Sequence, residues 1–337
     1  MSGFANGPGS PDVASWIRAR APETWPLPPA GRPCPRPDCL LLATTTPDHP
    51  CPATAPEVAH RLALGNVPAL DVAAVCSGFI YAVALARALI ESGTYTSPLV
   101  IGAETYSSII DPSDRQTAVI FADGAGAAML RAGNKDDPGA VHAIDLGSDG
   151  SGKGLIQVAA GGSRLPKGTE SIDHDQWYFK LRGRTVYRQA VDRMSVSGGR
   201  ALALAGWPPE SVRAFIGHQA NQRILDMVGD RLGVAGEYRF GNISEVGNTA
   251  AASIPLAMAD TAADRSVRPG ARTLLTAFGG GLTWGSIAMT WPDASPARLP
   301  VAAPPPDRAQ GPQSETGGVP RGESRTVKPW LVPRSLH

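Results

Sequence analysis

Residues 69–92 read ALDVAAVCSGFIYAVALARALIES, and this stretch decides the fold. ALDVAAV (69–75) is a short apolar run of the buried-strand type. From Ser77 to Ser92 the spacing changes to that of a helix with one wide apolar face, and Gly93 ends it. Cys76 sits at the junction. A helix's first turn offers free N–H groups and the positive end of a dipole, which favour a thiolate and expose it to a substrate tunnel. The plainer reading of a lone cysteine is a small buried hydrophobe.

Working outward, the same rhythm repeats. CLLLATTT (39–46) and PLVIGAE (98–104) read as strands, AVIFADGAGAAMLR (118–131) as two strands around a glycine-rich turn, and AVHAIDLG (140–147) as another strand. Beyond these, a long helix is expected over about 180–205, then the strand VRAFIGH (212–218) and a helix over 221–232. The glycine-marked loop GNISEVGN, a small-residue helix (249–263) and the strands TLLTAF (273–278) and SIAMTW (286–291) complete the series. Strands alternating with helices imply an α/β protein with a mainly parallel sheet, and two such series imply two related halves, 39–170 and 171–292. Residues 22–37 carry seven prolines, which forbid helix or central strand within a Pro-rich segment 1–38. The tail 293–337 is disordered by composition.

The 337 residues hold 31 Lys plus Arg against 30 Asp plus Glu, so no global field favours nucleic acid or an anionic membrane. No apolar run reaches the roughly 18 residues of a membrane span, and MSGFANGPGS has no signal-peptide pattern. Cysteines at 34, 39, 51 and 76 match no zinc spacing and no disulfide framework, so the expected compartment is the reducing cytoplasm and no metal is expected.

Other segments carry candidate chemistry. His218 stands between a buried strand and a helix start, although a lone histidine is more often structural. Asn248 in EVGNTAAASIP is either a polar group approached closely by backbone or an ordinary helix cap. AFGGGLTWG (277–285) is a tight turn whose N–H groups could face an oxyanion. GSDGSGKG (147–154) nearly matches a phosphate-binding loop, but Gly154 replaces the hydroxyl residue and a strand pattern follows where a helix is needed, so nucleotide hydrolysis is rejected.

Together LLLATTTPD, DVAAVCSGFIYA, VIGAE, DRQTAVIFADGAGAAML, GHQANQRI, GNTAAASIPLA and AFGGGLTWGS, in this order over roughly 39–292, resemble the β-ketoacyl-acyl carrier protein synthase III family of the thiolase fold. The resemblance implies a five-layered αβαβα body, a homodimer and an acyltransferase that starts fatty-acid or polyketide chains. Cys76 would take an acyl group from acyl-CoA. His218 and Asn248 would bind the thioester carbonyl of malonyl-acyl carrier protein and stabilise its enolate, with no metal or redox cofactor. The N–H groups of Cys76 and Gly280 match the oxyanion hole, and Arg223 a carrier-protein docking position. Trp16 and Arg20 in SWIRAR match a CoA-binding loop. Cys51 stands where the family often has a bulky aromatic, which implies a roomier acyl pocket. The first strand and helix of the N-terminal half are unrecognisable. The alternatives are a relative that transfers the acyl group without condensation, and a remnant acting only as a partner.

Overall fold

The computed structural model of the chain describes residues 35–169 and 172–294. In the first half, β1 (Cys39–Ala43) lies between β2 (Ala69–Val72) and β3 (Pro98–Glu104), both parallel to it. β4 (Gly124–Met129) runs antiparallel to β3, giving the order β2-β1-β3-β4. β1 is buried along its whole length because both its faces are covered. Leu40 and Leu42 meet Val58 and Ala59 of α1 (Ala55–Arg61), while Leu41 and Ala43 meet Phe79, Ile80 and Val83 of α2 (Gly78–Glu91). The period of two along the strand thus sends alternate residues into different layers.

The second sheet has the order β5-β10-β9-β8, formed by Val141–Ser148, Thr283–Thr290, Arg272–Gly279 and Ala214–Gly217. β8 and β9 are parallel, and the other pairings are antiparallel. One face of this sheet is covered by α3 (Gly183–Leu204) and α4 (Gln222–Leu232). Val186, Ala190, Met194, Ala201 and Leu202 form the buried stripe of α3 at helical spacing. The other face shares one core with the first sheet. Leu41 and Val100 from one sheet and Ile216, Leu275 and Ile287 from the other meet side chains of α2 and of α5 (Ser253–Ala263). The layers therefore run α1, first sheet, α2 with α5, second sheet, α3 with α4. This is the expected five-layered thiolase-like fold. The short strands β6 (Ile156–Val158) and β7 (Phe179–Leu181) pair beside it.

Several expectations change. Residues 118–131 form one strand rather than two: a helical turn spans Arg115–Ala118 under an Asp114 cap, and Phe121 joins only an isolated bridge to Asn248. The backbone around Phe121 is occupied elsewhere, since Ile120 O accepts the Asn248 N–H and the Ala122 N–H donates to Asn248 O. β2 is shorter than 69–75 and is half-exposed; among the described residues it has β1 on one side only. β5 belongs to the second sheet, so by sheet membership the second half begins at Val141 rather than at 171. The loop resembling a phosphate cradle forms a 3₁₀ turn over Gly150–Leu155 followed by β6, so no helix N-terminus faces it. Trp16, Arg20, Cys34 and the tail from 295 lie outside the described residues.

Candidate active site

Cys76 occupies a 3₁₀ turn, Val75–Ser77, between β2 and α2. Val75 is held at φ 49°, a left-handed conformation that a β-branched residue adopts only under constraint from its surroundings. Those surroundings come from the second half. Ser77 Oγ lies 2.8 Å from Thr283 Oγ1, which donates to Gly280 O at 3.0 Å, so the turn is tied to the glycine loop after β9. A Cβ on Gly279 would stand 2.8 Å from the Cys76 nitrogen, and only glycine allows this approach. The Gly280 N–H donates to no backbone carbonyl among the described residues, which leaves it available to an oxyanion.

Cys76 is 7% exposed and belongs to the buried cluster that also holds Tyr106, Ile156, Ala250 and Phe278. The expected stabilised thiolate is not what this setting supports. Burial, with the nearby Glu104 carboxylate second, pushes the thiol well above its ordinary range, so the resting group is a protonated thiol. The helix start offers dipoles, but the desolvation of a charge outweighs them.

The other two candidates converge on the turn that opens α5, Ala250–Ala252, which packs against the Cys76 turn. Asn248 is 4% exposed, and its Oδ1 accepts the Ala250 N–H at 2.9 Å. That fixes the amide: this Asx-type bond engages the oxygen and leaves Nδ2 as the group with protons to donate. The N-cap of the turn itself is Thr249, so Asn248 lies one residue before the cap. His218 directly follows β8, and its N–H donates to Thr276 O at 2.8 Å. Its Nδ1 is 2.7 Å from Ser253 Oγ, which also accepts the Gln219 N–H at 3.3 Å. Assigning the buried Ser253 proton to Nδ1 leaves the ring proton on Nε2. Burial lowers the His218 pKa to about 3, so the ring is a neutral donor throughout the physiological range.

Arg223 is exposed in the first turn of α4, where its N–H donates to the Asn221 cap. Cys51 is exposed and is not part of the buried cluster around Cys76 within this chain. Sequence reasoning missed Ser253, which holds His218 Nδ1.

Two α/β halves that bury one thiol where their turns meet are the plan of the thiolase-like acyl-transferring enzymes. Residues 70–150 match the 3-oxoacyl-[acyl-carrier-protein] synthase III family, and residues 202–291 match its C-terminal part. The chain belongs to the 3-oxoacyl-[acyl-carrier-protein] synthase III family, and so it is a condensing enzyme of the acyltransferase type. It is 56% identical over 256 residues to β-ketoacyl-[acyl-carrier-protein] synthase III 5 of Streptomyces coelicolor, covering 76% of this chain and 77% of that one. The crystal structure of the Pseudomonas aeruginosa synthase III matches with TM-score 0.70 and 44% identity over 77% of this chain and 78% of that one. The priming β-ketosynthase of the R1128 polyketide pathway matches with TM-score 0.69 and 30% identity, over 77% and 76%.

Proposed function

We propose that this enzyme loads an acyl group from acyl-CoA onto Cys76 and condenses it with malonyl-acyl carrier protein, starting a fatty-acid or polyketide chain. The observation that carries this reading is the paired fixation of His218 and Asn248. Each has one polar atom tied to the opening of α5, by Ser253 and by the Ala250 N–H, which leaves Nε2–H and Nδ2–H as donors. Two neutral donors on one thioester oxygen stabilise the enolate formed as CO2 departs, and the enolate carbon then attacks the Cys76 thioester. The N–H groups of Cys76 and Gly280 hold the oxyanion formed at the acyl carbonyl. The chemistry uses side chains and backbone alone and draws on no metal or redox cofactor.

The further roles follow from the same reading. Trp16 and Arg20 bind CoA, and Arg223 helps dock the acidic carrier protein. Among the described residues no strand pairs with the outer edge of β2, and Leu70 there is exposed, which supports a homodimer. The same reading assigns the enzyme to the cytoplasm. Across that dimer Cys51 leaves room for branched, longer or aryl primers. Among the described residues no helix is long and apolar enough to cross a membrane.

Mass spectrometry after incubation with a panel of acyl-CoAs tests the loading step, and CO2 release from malonyl-acyl carrier protein tests the condensation. An acyl adduct on Cys76 together with CO2 release is expected. Adduct without CO2 release would leave a non-condensing acyltransferase, and no adduct with any primer would overturn the reading.

A further inference from the structure

The run GSDGSGKG (147–154), rejected above as a phosphate loop, packs against the loop that follows β9. The Asp149 N–H donates to Leu282 O at 2.9 Å and the Leu282 N–H to Asp149 O at 3.0 Å, so the two backbones are locked as a pair. The Leu282 side chain lies on Gly152, and a Cβ on Gly280 would stand 3.2 Å from Ile156 O. Side chains then close a circuit around the pair. Asp149 Oδ1 accepts the Ser151 N–H and hydroxyl at 3.1 and 2.6 Å, and its Oδ2 accepts from Arg193 Nη2 of α3 at 3.1 Å. The Arg193 guanidinium lies over the Trp284 ring, 4.5 Å from its centroid. That ring rests on Gly147, where a Cβ would stand 2.5 Å from it. Trp284 is two residues beyond Leu282, so the contacts return to where they began. On its inner side the same loop is held by Thr283, which bonds Gly280 O and the Ser77 hydroxyl.

We infer that Asp149 and Arg193 are positioning residues for acyl transfer to Cys76: they brace the loop Gly279–Thr283 from outside and keep the Gly280 N–H aimed at the oxyanion on the acyl carbonyl. The inference rests on the oxyanion role proposed for Gly280. An N–H stabilises a developing oxyanion fully only when it is held in place beforehand, since reorientation during the reaction returns part of the gain. The loop has little stiffness of its own. Residues 279–281 are three glycines in a row, and glycine populates more of the backbone map than any other residue. The rigidity must come from neighbours, and Thr283 supplies it on one side only. The circuit through Asp149, Arg193 and Trp284 supplies the other side.

The plainer readings explain less. The Arg193 and Asp149 side chains are 38% and 35% exposed, and an ion pair so exposed adds little to stability. Anion binding by the run fails as well. Its Ser151 N–H is taken by the Asp149 carboxylate and its Gly152 N–H by Asp149 O at 3.3 Å, so these amides are not offered to a phosphate. Arg193, engaged by Asp149 and stacked on Trp284, has its charge already matched. Its neighbour Asp192 does not compete for it, because Asp192 pairs with Arg231 of α4.

The test compares two kinds of single-turnover reaction at Cys76, read by mass spectrometry. Acylation by acetyl-CoA, isobutyryl-CoA or p-nitrophenyl acetate passes through a tetrahedral oxyanion. Alkylation by iodoacetamide displaces iodide and forms none. Asp149→Ala and Arg193→Met should slow acylation about 10-fold, part of the roughly 10²–10³-fold lost with a whole oxyanion donor. Alkylation and near-UV circular dichroism should stay at wild-type values. The double variant should lose no more than either single one, since both break one circuit. Arg193→Lys, which keeps a charge beside Asp149, should recover part of the rate. Wild-type acylation in both single variants, alkylation slowed as much as acylation, or a double variant whose loss is the product of the two would overturn the brace. If Asp149→Ala does not fold, the two Arg193 variants decide. Should p-nitrophenyl acetate but no acyl-CoA load wild type, the functional reading fails, while the ester still judges the brace. A wild type inert to both would overturn the two together.

Discussion

The two sheets share a core arrangement and differ at their margins. β1, β3 and β4 correspond to β8, β9 and β10: two parallel strands followed by an antiparallel one. In the second half, β5 covers the free edge of β10, and the 22-residue α3 follows it in the chain and packs on β5, β9 and β10. Among the described residues of the first half, no strand lies beyond β4, and no helix precedes β1. The burial follows from this. β10, flanked on both sides, is buried over five consecutive residues, whereas β4, flanked on one, is half-exposed along most of its length.

The site, however, is built from the part the halves have in common. In each half a 3₁₀ turn opens a central helix, and each turn holds a non-glycine residue at positive φ, Val75 at 49° and Ala250 at 45°. These turns pack on each other, far from the margins that differ. In the proposed mechanism the first half brings the nucleophile, and the second brings the two donors. The edge of a layered fold can therefore change while the joint at its centre keeps its geometry.

Separating the two contributions gives the largest expected effect. Cys76→Ala should remove all acyl adduct and all condensation. His218→Ala and Asn248→Ala should keep the adduct, while CO2 release falls by about 10²–10³-fold for each donor lost. Donor variants that also fail to load would break the division of labour between the halves.

The joint itself comes next. Gly279→Ala places a methyl 2.8 Å from the Cys76 nitrogen. It should cost about 1–3 kcal/mol in denaturant unfolding and displace the thiol enough to slow loading by roughly 10²-fold. Wild-type loading in this variant would show that the glycine loop does not position Cys76.

The halves should also respond to pH in opposite senses. The Glu104 pKa is raised from 4.5 to about 7, so its folded state binds the extra proton, and stability is lost as pH rises through that window. The His218 pKa is lowered from 6.5 to about 3, so stability present above pH 6.5 is lost as pH falls through that window. Glu104→Gln should flatten the slope of unfolding free energy between about pH 4.5 and 7, worth up to about 3 kcal/mol. An unchanged slope would mean that Glu104 does not titrate in the fold.

The smallest effects are local. Thr283→Val removes the link to Ser77 and should cost about 1 kcal/mol of stability. Arg223→Glu should raise KM for the carrier protein and leave acyl loading from CoA unchanged, which steady-state and single-turnover kinetics would separate.

The sequence by itself determined the class of fold, because strand and helix periodicities are local and the apolar runs are long enough to require burial. It also determined the chemistry to look for, since Cys76, His218 and Asn248 each stand where a strand or loop passes into a helix. Only the tertiary structure decided the state of those residues. The thiol of Cys76 is protonated because the second half buries it, and His218 is neutral for the same reason. Asn248 presents Nδ2 because Ala250 holds its oxygen. The burial of Glu104 and Tyr106 escaped notice in the sequence because it exists only once distant strands and turns close around them. Charge state and orientation depend on neighbours distant in the chain, and no local pattern records those.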